Sequence, residues 1–185
     1  CRELKGNGLF RIIYCLALAV SCLLSGCGYH LTGGTNTSSL IAGKTIAIPM
    51  CRSKSYRPNL EAVLTGSLVD EFALRSGGMV VAEDAAELVL TGTIISYTSV
   101  AVSYTAADKV SEYRNTMKVE VTLTEKRSEK VLWKGTLAEF QDYPAYLDPN
   151  DPNSIAKQQN SDEAALRAIS RKIARQLFQN MSENF

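Results

Sequence analysis

The sequence predicts an α+β fold, a two-layer sandwich with two helices packed on one face of a four- to five-stranded mixed sheet. Three observations predict it. Met117, Val119, Val121 and Leu123 alternate with Lys118, Glu120, Thr122 and Thr124, the period of a strand with one face to a core and one to solvent. Two segments carry apolar residues at helical spacing: Leu60, Val63, Leu64, Leu68 and Phe72 in one, Ile169, Ile173 and Leu177 in the other. Between them, strand-like segments follow one another through short polar turns, which favours hairpins and gathers both helices on one side.

The first element is one to be removed. Arg2, Lys5 and Arg11 form a positive segment, and Ile12 to Leu24 is a 13-residue run of almost wholly apolar or small residues. A spanning helix needs ~20 residues, so this run fits the hydrophobic part of a signal peptide. Leu24-Ser25-Gly26-Cys27 follows directly and reads as a lipobox. Cleavage before Cys27 leaves a new N-terminal cysteine for acylation, and several acyl chains hold a protein on a membrane where one is marginal. Residues 1–26 are thus expected as a lipoprotein signal peptide. Residues 27–43, with Gly33-Gly34 and a Ser/Thr/Asn run, are expected as a lipidated N-terminus and flexible tether. A single domain should fill 44–185.

Within that domain, Lys44 to Met50 reads as a strand, with Ile46 and Ile48 alternating and Pro49 near its end. Ser53 to Arg57 reads as loop. Pro58 and Asn59 open the first helix, since Pro is tolerated in a first turn, and Gly77-Gly78 close it. Met79 to Ala82 is expected as a short strand and Glu87 to Thr98 as a longer one, rich in Val, Ile, Thr and Tyr. Tyr104 to Val110 reads as a hairpin loop, Lys126 to Lys130 as a polar turn and Val131 to Phe140 as the next strand, with Trp133 as core filler. From 142 to 159 the chain is expected to be irregular, centred on Asp-Pro-Asn-Asp-Pro-Asn turn chemistry. Asn160, with Glu163 three residues on, marks the start of the last helix in the manner of a capping box. The early strand-helix-strand unit supplies a parallel pair.

Composition narrows the function. The removed segment holds three of the 20 basic and one of the 19 acidic residues, leaving 17 and 18 and a net charge near −1. No global basic field points to nucleic acid. Of the five cysteines only Cys51 remains besides Cys27, so the mature domain can hold no internal disulfide; a lone thiol after a strand reads as a small buried hydrophobe. His30 is the only histidine and lies in the tether, which removes most His-based acid–base and metal designs. The Asp148 to Asp151 cluster, with its prolines and no later Glu, reads as turn rather than as a calcium loop. The chain is therefore read as a non-enzyme with no catalytic residues, no metal and no cofactor. Binding fits better: Lys118, Glu120, Thr122 and Thr124 make a polar sheet face, while Lys109 and Lys157 sit in expected loops where an ammonium can meet a phosphate as a point charge.

At these residues a resemblance enters. Cys27-Gly28-Tyr29-His30-Leu31 resembles the mature start of LptE, a lipopolysaccharide-assembly lipoprotein family of the outer membrane. The likeness continues through Ile46-Ala47-Ile48-Pro49, Asn59-Leu60-Glu61 to Leu64-Thr65, Glu71-Phe72, Leu90-Thr91-Gly92-Thr93-Ile94, Glu112-Tyr113 and the closing helix. It implies two helices on a small sheet and a domain seated as a plug inside an LptD-like outer-membrane β-barrel. It also implies contact with lipopolysaccharide during delivery to the outer leaflet, and a lipid anchor on the periplasmic side. Gly28 after the acylated cysteine is consistent with sorting to the outer membrane. Ala156-Lys157 resembles a family lysine implicated in lipopolysaccharide contact, and Lys109 lies in the same hairpin loop as a family basic residue. Two departures bear on the barrel contacts: Cys51 stands where relatives often have an aromatic, and the 142–153 loop is rich in proline. The rival reading is a periplasmic structural lipoprotein of another envelope or secretion assembly, which would share the lipobox, the tether and a small α/β domain.

Overall fold

A computed structural model describes residues 40–182 apart from Gly78 and Leu147. The expected signal peptide, Cys27 and most of the expected tether lie outside the described residues.

Five strands and two helices follow in chain order. β1 (Ile46–Ala47) and β2 (Arg52–Ser53) precede α1 (Leu60–Arg75); β3 (Leu88–Tyr104), β4 (Val110–Glu125) and β5 (Lys130–Pro144) precede α2 (Ser154–Ser182). The sheet order is β1-β3-β4-β5, with β2 also on β3. β1 and β2 run parallel to β3, pairing Ile46 with Leu88 and Arg52 with Thr93; β3, β4 and β5 form an antiparallel meander. This is the α+β sandwich with a mixed sheet that the sequence predicts, and the parallel pair comes from the early strand-helix-strand unit.

Alternation sets the faces. Leu88, Leu90 and Ile94 of β3 and Met117, Val119, Val121 and Leu123 of β4 point into the core, opposite Leu60, Leu64, Leu68 and Phe72 of α1 and Ile169, Ile173 and Leu177 of α2, all essentially without solvent exposure. Burying one such side chain contributes roughly 1.5–3 kcal/mol. Phe72 and Phe178 join the helices edge to face, 5.2 Å between centroids. A one-residue shift between Ile94 and Ser96 then changes the phase of β3: Ile94 faces Val119, but the next inward pair is the half-buried Tyr97 with Met117, beyond which an exposed Ser99 lies opposite the buried Asn115. Core positions are therefore even before the bulge and odd after it.

Two glycines allow close approach. A Cβ on Gly92 would lie 2.7 Å from Cys51 Sγ, and one on Gly135 would lie 2.5 Å from the Trp133 ring. Cys51 is buried, as expected of a small hydrophobe, and burial raises its thiol pKa above the ordinary value.

Several boundaries depart from expectation. Met79 to Ala82 is no strand; only Val80 bridges Ile46, through the Ile46 N–H donating to the Met79 carbonyl and the Val81 N–H to the Ile46 carbonyl, and the chain then turns away through a 3-10 segment, Glu83–Ala85. Arg52 and Ser53, at the edge of an expected loop, form β2. The hairpin loop falls between Tyr104 and Val110 as expected, but the strands run on to it past Thr98 and from before Met117, and β5 continues past Phe140 to Pro144. The last helix starts at Ser154, not after Asn160: Lys157 N bonds the Asn153 carbonyl and Ser154 N the Asp151 carbonyl, so the turn before the helix supplies the start and the internal Asn160 is not needed as a cap. Leu40 and Ile41, at the end of the expected tether, dock on the domain, with Leu40 N bonding the Met181 carbonyl and Ile41 packed into the core.

The domain has two ends. Residues 40–46, the β4–β5 turn and the C-termini of both helices gather at one, joined by Lys44–Glu125 and by the docking of Leu40. The β3–β4 hairpin tip, the 145–153 loop and the start of α2 gather at the other. With 17 residues in β3, the sheet separates them by roughly 55 Å.

Candidate functional site

The far end of the sheet is built on polar contacts. Asp162, on α2, accepts from Arg57 Nη1 at 2.7 Å and from Asn115 Nδ2 at 2.5 Å. Arg57 also donates to Tyr97 Oη at 3.1 Å and lies over the Tyr97 ring, 4.8 Å from its centroid. Ser99 Oγ and Tyr143 Oη share a hydrogen bond of 3.2 Å, and Tyr143 stacks on Tyr113 at 5.8 Å. Burial is the main reason the Tyr97 and Tyr143 phenols lie above their ordinary pKa. Asn115 is fully buried, and its Oδ1 has no hydrogen-bond partner among the described residues. The network clamps the first half of α2 to the bulged part of β3, and so fixes what lies beyond.

Beyond it is an open cleft of about 950 Å³ between the hairpin tip and the 145–153 loop. Lys109, Val110 and Ser111 line one wall; Ala145, Tyr146, Asp148 and Asp151 line the other. The hairpin tip closes through Thr105 N to the Lys109 carbonyl, with Asp108 in the left-handed region at φ 55. Ala145 N bonds the Ser111 carbonyl, and Tyr146 N bonds Gln158 Oε1 at 2.7 Å, so both walls are tied to regular structure. Asp148 and Asp151 make the expected turns, each carboxylate accepting the backbone N–H two residues on, from Asn150 and Asn153 at 2.9 Å.

The structure treats the two sequence-selected lysines differently. Lys109 lines the cleft, and its ammonium has no partner among the described residues. Lys157 is not in a loop before the helix but in the first turn of α2, and it reaches the cleft only through Asp151, Nζ to Oδ2 2.6 Å. That bond raises the Lys157 pKa and lowers that of Asp151. Sequence reasoning missed Asp151 as the lysine's partner, as well as the Arg57, Asn115 and Asp162 clamp. The second Asp-Pro-Asn, ending just before Ser154, was the available signal for the helix start.

On the solvent side of the sheet the Lys118, Glu120, Thr122 and Thr124 row is uncovered or half-covered, and Lys134 pairs with Glu120 at 3.5 Å. Nearby, Arg114 grips Asp142 through two bonds of 2.7 and 2.8 Å and lies over Phe140. Among the described residues no cluster of potential metal ligands occurs, and no helix is long and apolar enough to cross a membrane.

Sequence comparison decides the family. The model of the LptE family, described as lipopolysaccharide-assembly, matches residues 43–181. The chain belongs to the LptE family. It is thereby a lipopolysaccharide-assembly lipoprotein of a non-enzymatic family, associated with the outer membrane. A search of curated proteins finds no match. Among solved structures, a hypothetical protein of Chlamydia trachomatis is similar at 10% identity and TM-score 0.50, covering 77% of this chain and 100% of that one. A protein of Xanthomonas campestris is similar at 13% identity and TM-score 0.50, covering 77% and 88%. Both share the fold. The rare lipoprotein B of Shewanella oneidensis is also similar, at 20% identity and TM-score 0.49 over 73% of this chain and 92% of that one.

Proposed function

We propose that this LptE-family chain is anchored in the outer membrane, on its periplasmic side, through an acylated Cys27 after removal of residues 1–26. We further propose that it plugs and supports an LptD-like β-barrel and assists lipopolysaccharide delivery to the outer leaflet, with Lys109 and Lys157 contacting the glycolipid. The family match across 43–181 carries this reading. A barrel lumen is polar and roomy, and the uncovered Thr, Lys and Glu sheet face suits such a lining. The cleft adds a site with an ammonium on one wall that has no partner among the described residues and a second ammonium behind the other, where phosphates and acidic sugars can be met.

Two measurements test it. Isolation of the chain from detergent-solubilised outer membrane at near-native expression should bring down a stoichiometric large β-barrel; a soluble envelope partner, or none, would favour the structural-lipoprotein reading. Lys109→Asp with Lys157→Asp should lower lipopolysaccharide binding with the melting curve unchanged, most clearly at low salt because exposed charges are screened within about 10 Å at 0.1 M. Unchanged binding at low salt would remove both lysines from the site.

A further inference from the structure

The cleft is less basic than its two lysines suggest. Asp148 and Asp151 line it together with Lys109, and Lys157 is already engaged, its Nζ 2.6 Å from Asp151 Oδ2. Asp151 is held in place on two sides: Oδ1 accepts from Asn153 N at 2.9 Å, and its carbonyl accepts from Ser154 N at 3.0 Å. Lys157 is fixed by the first turn of α2, its N–H bonding the Asn153 carbonyl at 2.9 Å. The carboxylate is therefore pre-set on the ammonium, and an anion entering the cleft meets one cation without a partner among the described residues, Lys109, and one already neutralised, Lys157.

We propose that Asp151 is a specificity-determining residue of this site, a resident carboxylate that occupies Lys157 until a phosphate replaces it. This rests on the lipopolysaccharide-contact reading above. A monoanionic carboxylate gains little by the exchange, since it substitutes one such group for another and leaves Asp151 facing it. A phosphate carries up to two charges and three acceptor oxygens, and outcompetes a single carboxylate for the ammonium. If the ligand also reaches Lys109, the loss at Asp151 is offset on the opposite wall. The favoured class is a phosphorylated amphiphile: phosphates to the ammonium groups, apolar atoms to Val110, Ala145 and Tyr146. The ion pair is exposed, 52% at Lys157 and 28% at Asp151, so it acts as a displaceable occupant and not as a lock.

The test is a double-mutant cycle on the full chain in detergent, with bisphosphorylated lipid A and its dephosphorylated form as probes. Asp151→Asn keeps the turn acceptor and removes the charge. It should tighten binding of the phosphorylated probe about two- to fivefold at low salt. Asp148→Asn, which removes a charge from the same cleft without freeing Lys157, should do markedly less. The gain should vanish in a Lys157→Gln background and with the dephosphorylated probe. Wild-type binding with no gain in Asp151→Asn, a gain that persists without Lys157, or an equal gain in Asp148→Asn would each overturn the role of Asp151 alone. Absence of binding by every variant would overturn the lysine site itself, and this inference with it.

Discussion

The two halves of the β3–β4 hairpin are held by different physics. From Leu88 to Ile94 the inner face is aliphatic, sealed by both helices, and depends on shape and burial. From Tyr97 to Tyr104 it carries Tyr97, Ser99 and the buried Asn115 opposite, and is held to α2 by one carboxylate, Asp162. The first half makes the fold stable. The second carries the cleft, and its polar clamp fixes direction more than it adds stability, because a hydrogen bond orients its partners whereas apolar contact does not.

That contrast can be broken at the aliphatic end first. Phe72→Ala should lower unfolding stability by about 3–5 kcal/mol, the usual cost of deleting a buried ring, read as a coincident loss of all structure in denaturant. Gly92→Ala forces a Cβ against Cys51 Sγ and should cost about 1–3 kcal/mol; the same change in a Cys51→Ala background should cost clearly less, and an equal cost would show that the strain lies elsewhere. At the polar end, Asp162→Ala strips partners from Arg57 and Asn115. Its cost should be smaller, about 1–2 kcal/mol given that the pair is a quarter exposed, and local: hydrogen exchange should rise over 97–104, 113–117 and 154–165 while 88–94 stays protected. Uniform exchange would mean that the halves are one cooperative unit.

The smallest effect is one of pH. Burial raises the Cys51 pKa in the folded state, so the folded chain resists thiol ionisation. The sign follows: stability is unaffected below the ordinary thiol range and falls as pH rises through it, because the unfolded thiol releases its proton first. The melting temperature should therefore drop more between pH 7 and 10 in the wild type than in Cys51→Ala, and alkylation of the native thiol should be slow. Equal slopes would mean that Cys51 is not shielded.

The same division explains what could be read from the sequence. The aliphatic half was legible because its alternation from Met117 to Leu123 and its stripe from Leu60 to Phe72 are local patterns tied to burial. The polar half was not. Its strands extend through Ser, Thr, Tyr and Arg with no clean alternation, and the bulge after Ile94 breaks what period there is. Its clamp joins Arg57, Asn115 and Asp162, which are far apart in sequence and ordinary one by one. Of the proposed site, Lys109 and Lys157 are picked out by residue type and resemblance alone. The ion pair that qualifies Lys157 was hidden because the helix was expected to begin two turns later, which left Asp151 and Lys157 without a defined geometry.

The bulge also fixes how this hairpin can change length. A residue added to β3 between Ser96 and Tyr97 would turn the side chains that follow it over, taking the half-buried Tyr97 off Arg57 and toward solvent. Just after the bulge, insertions are silent only in even steps or when matched by its loss, whereas near the tip two further register shifts, between Ala101 and Ser103 and between Ser103 and Tyr104, already absorb single residues. The tip at 105–109 lies past the last paired residues and carries no such parity rule. Related chains should therefore vary freely in the reach of the Lys109 wall while keeping the strand beneath it in phase.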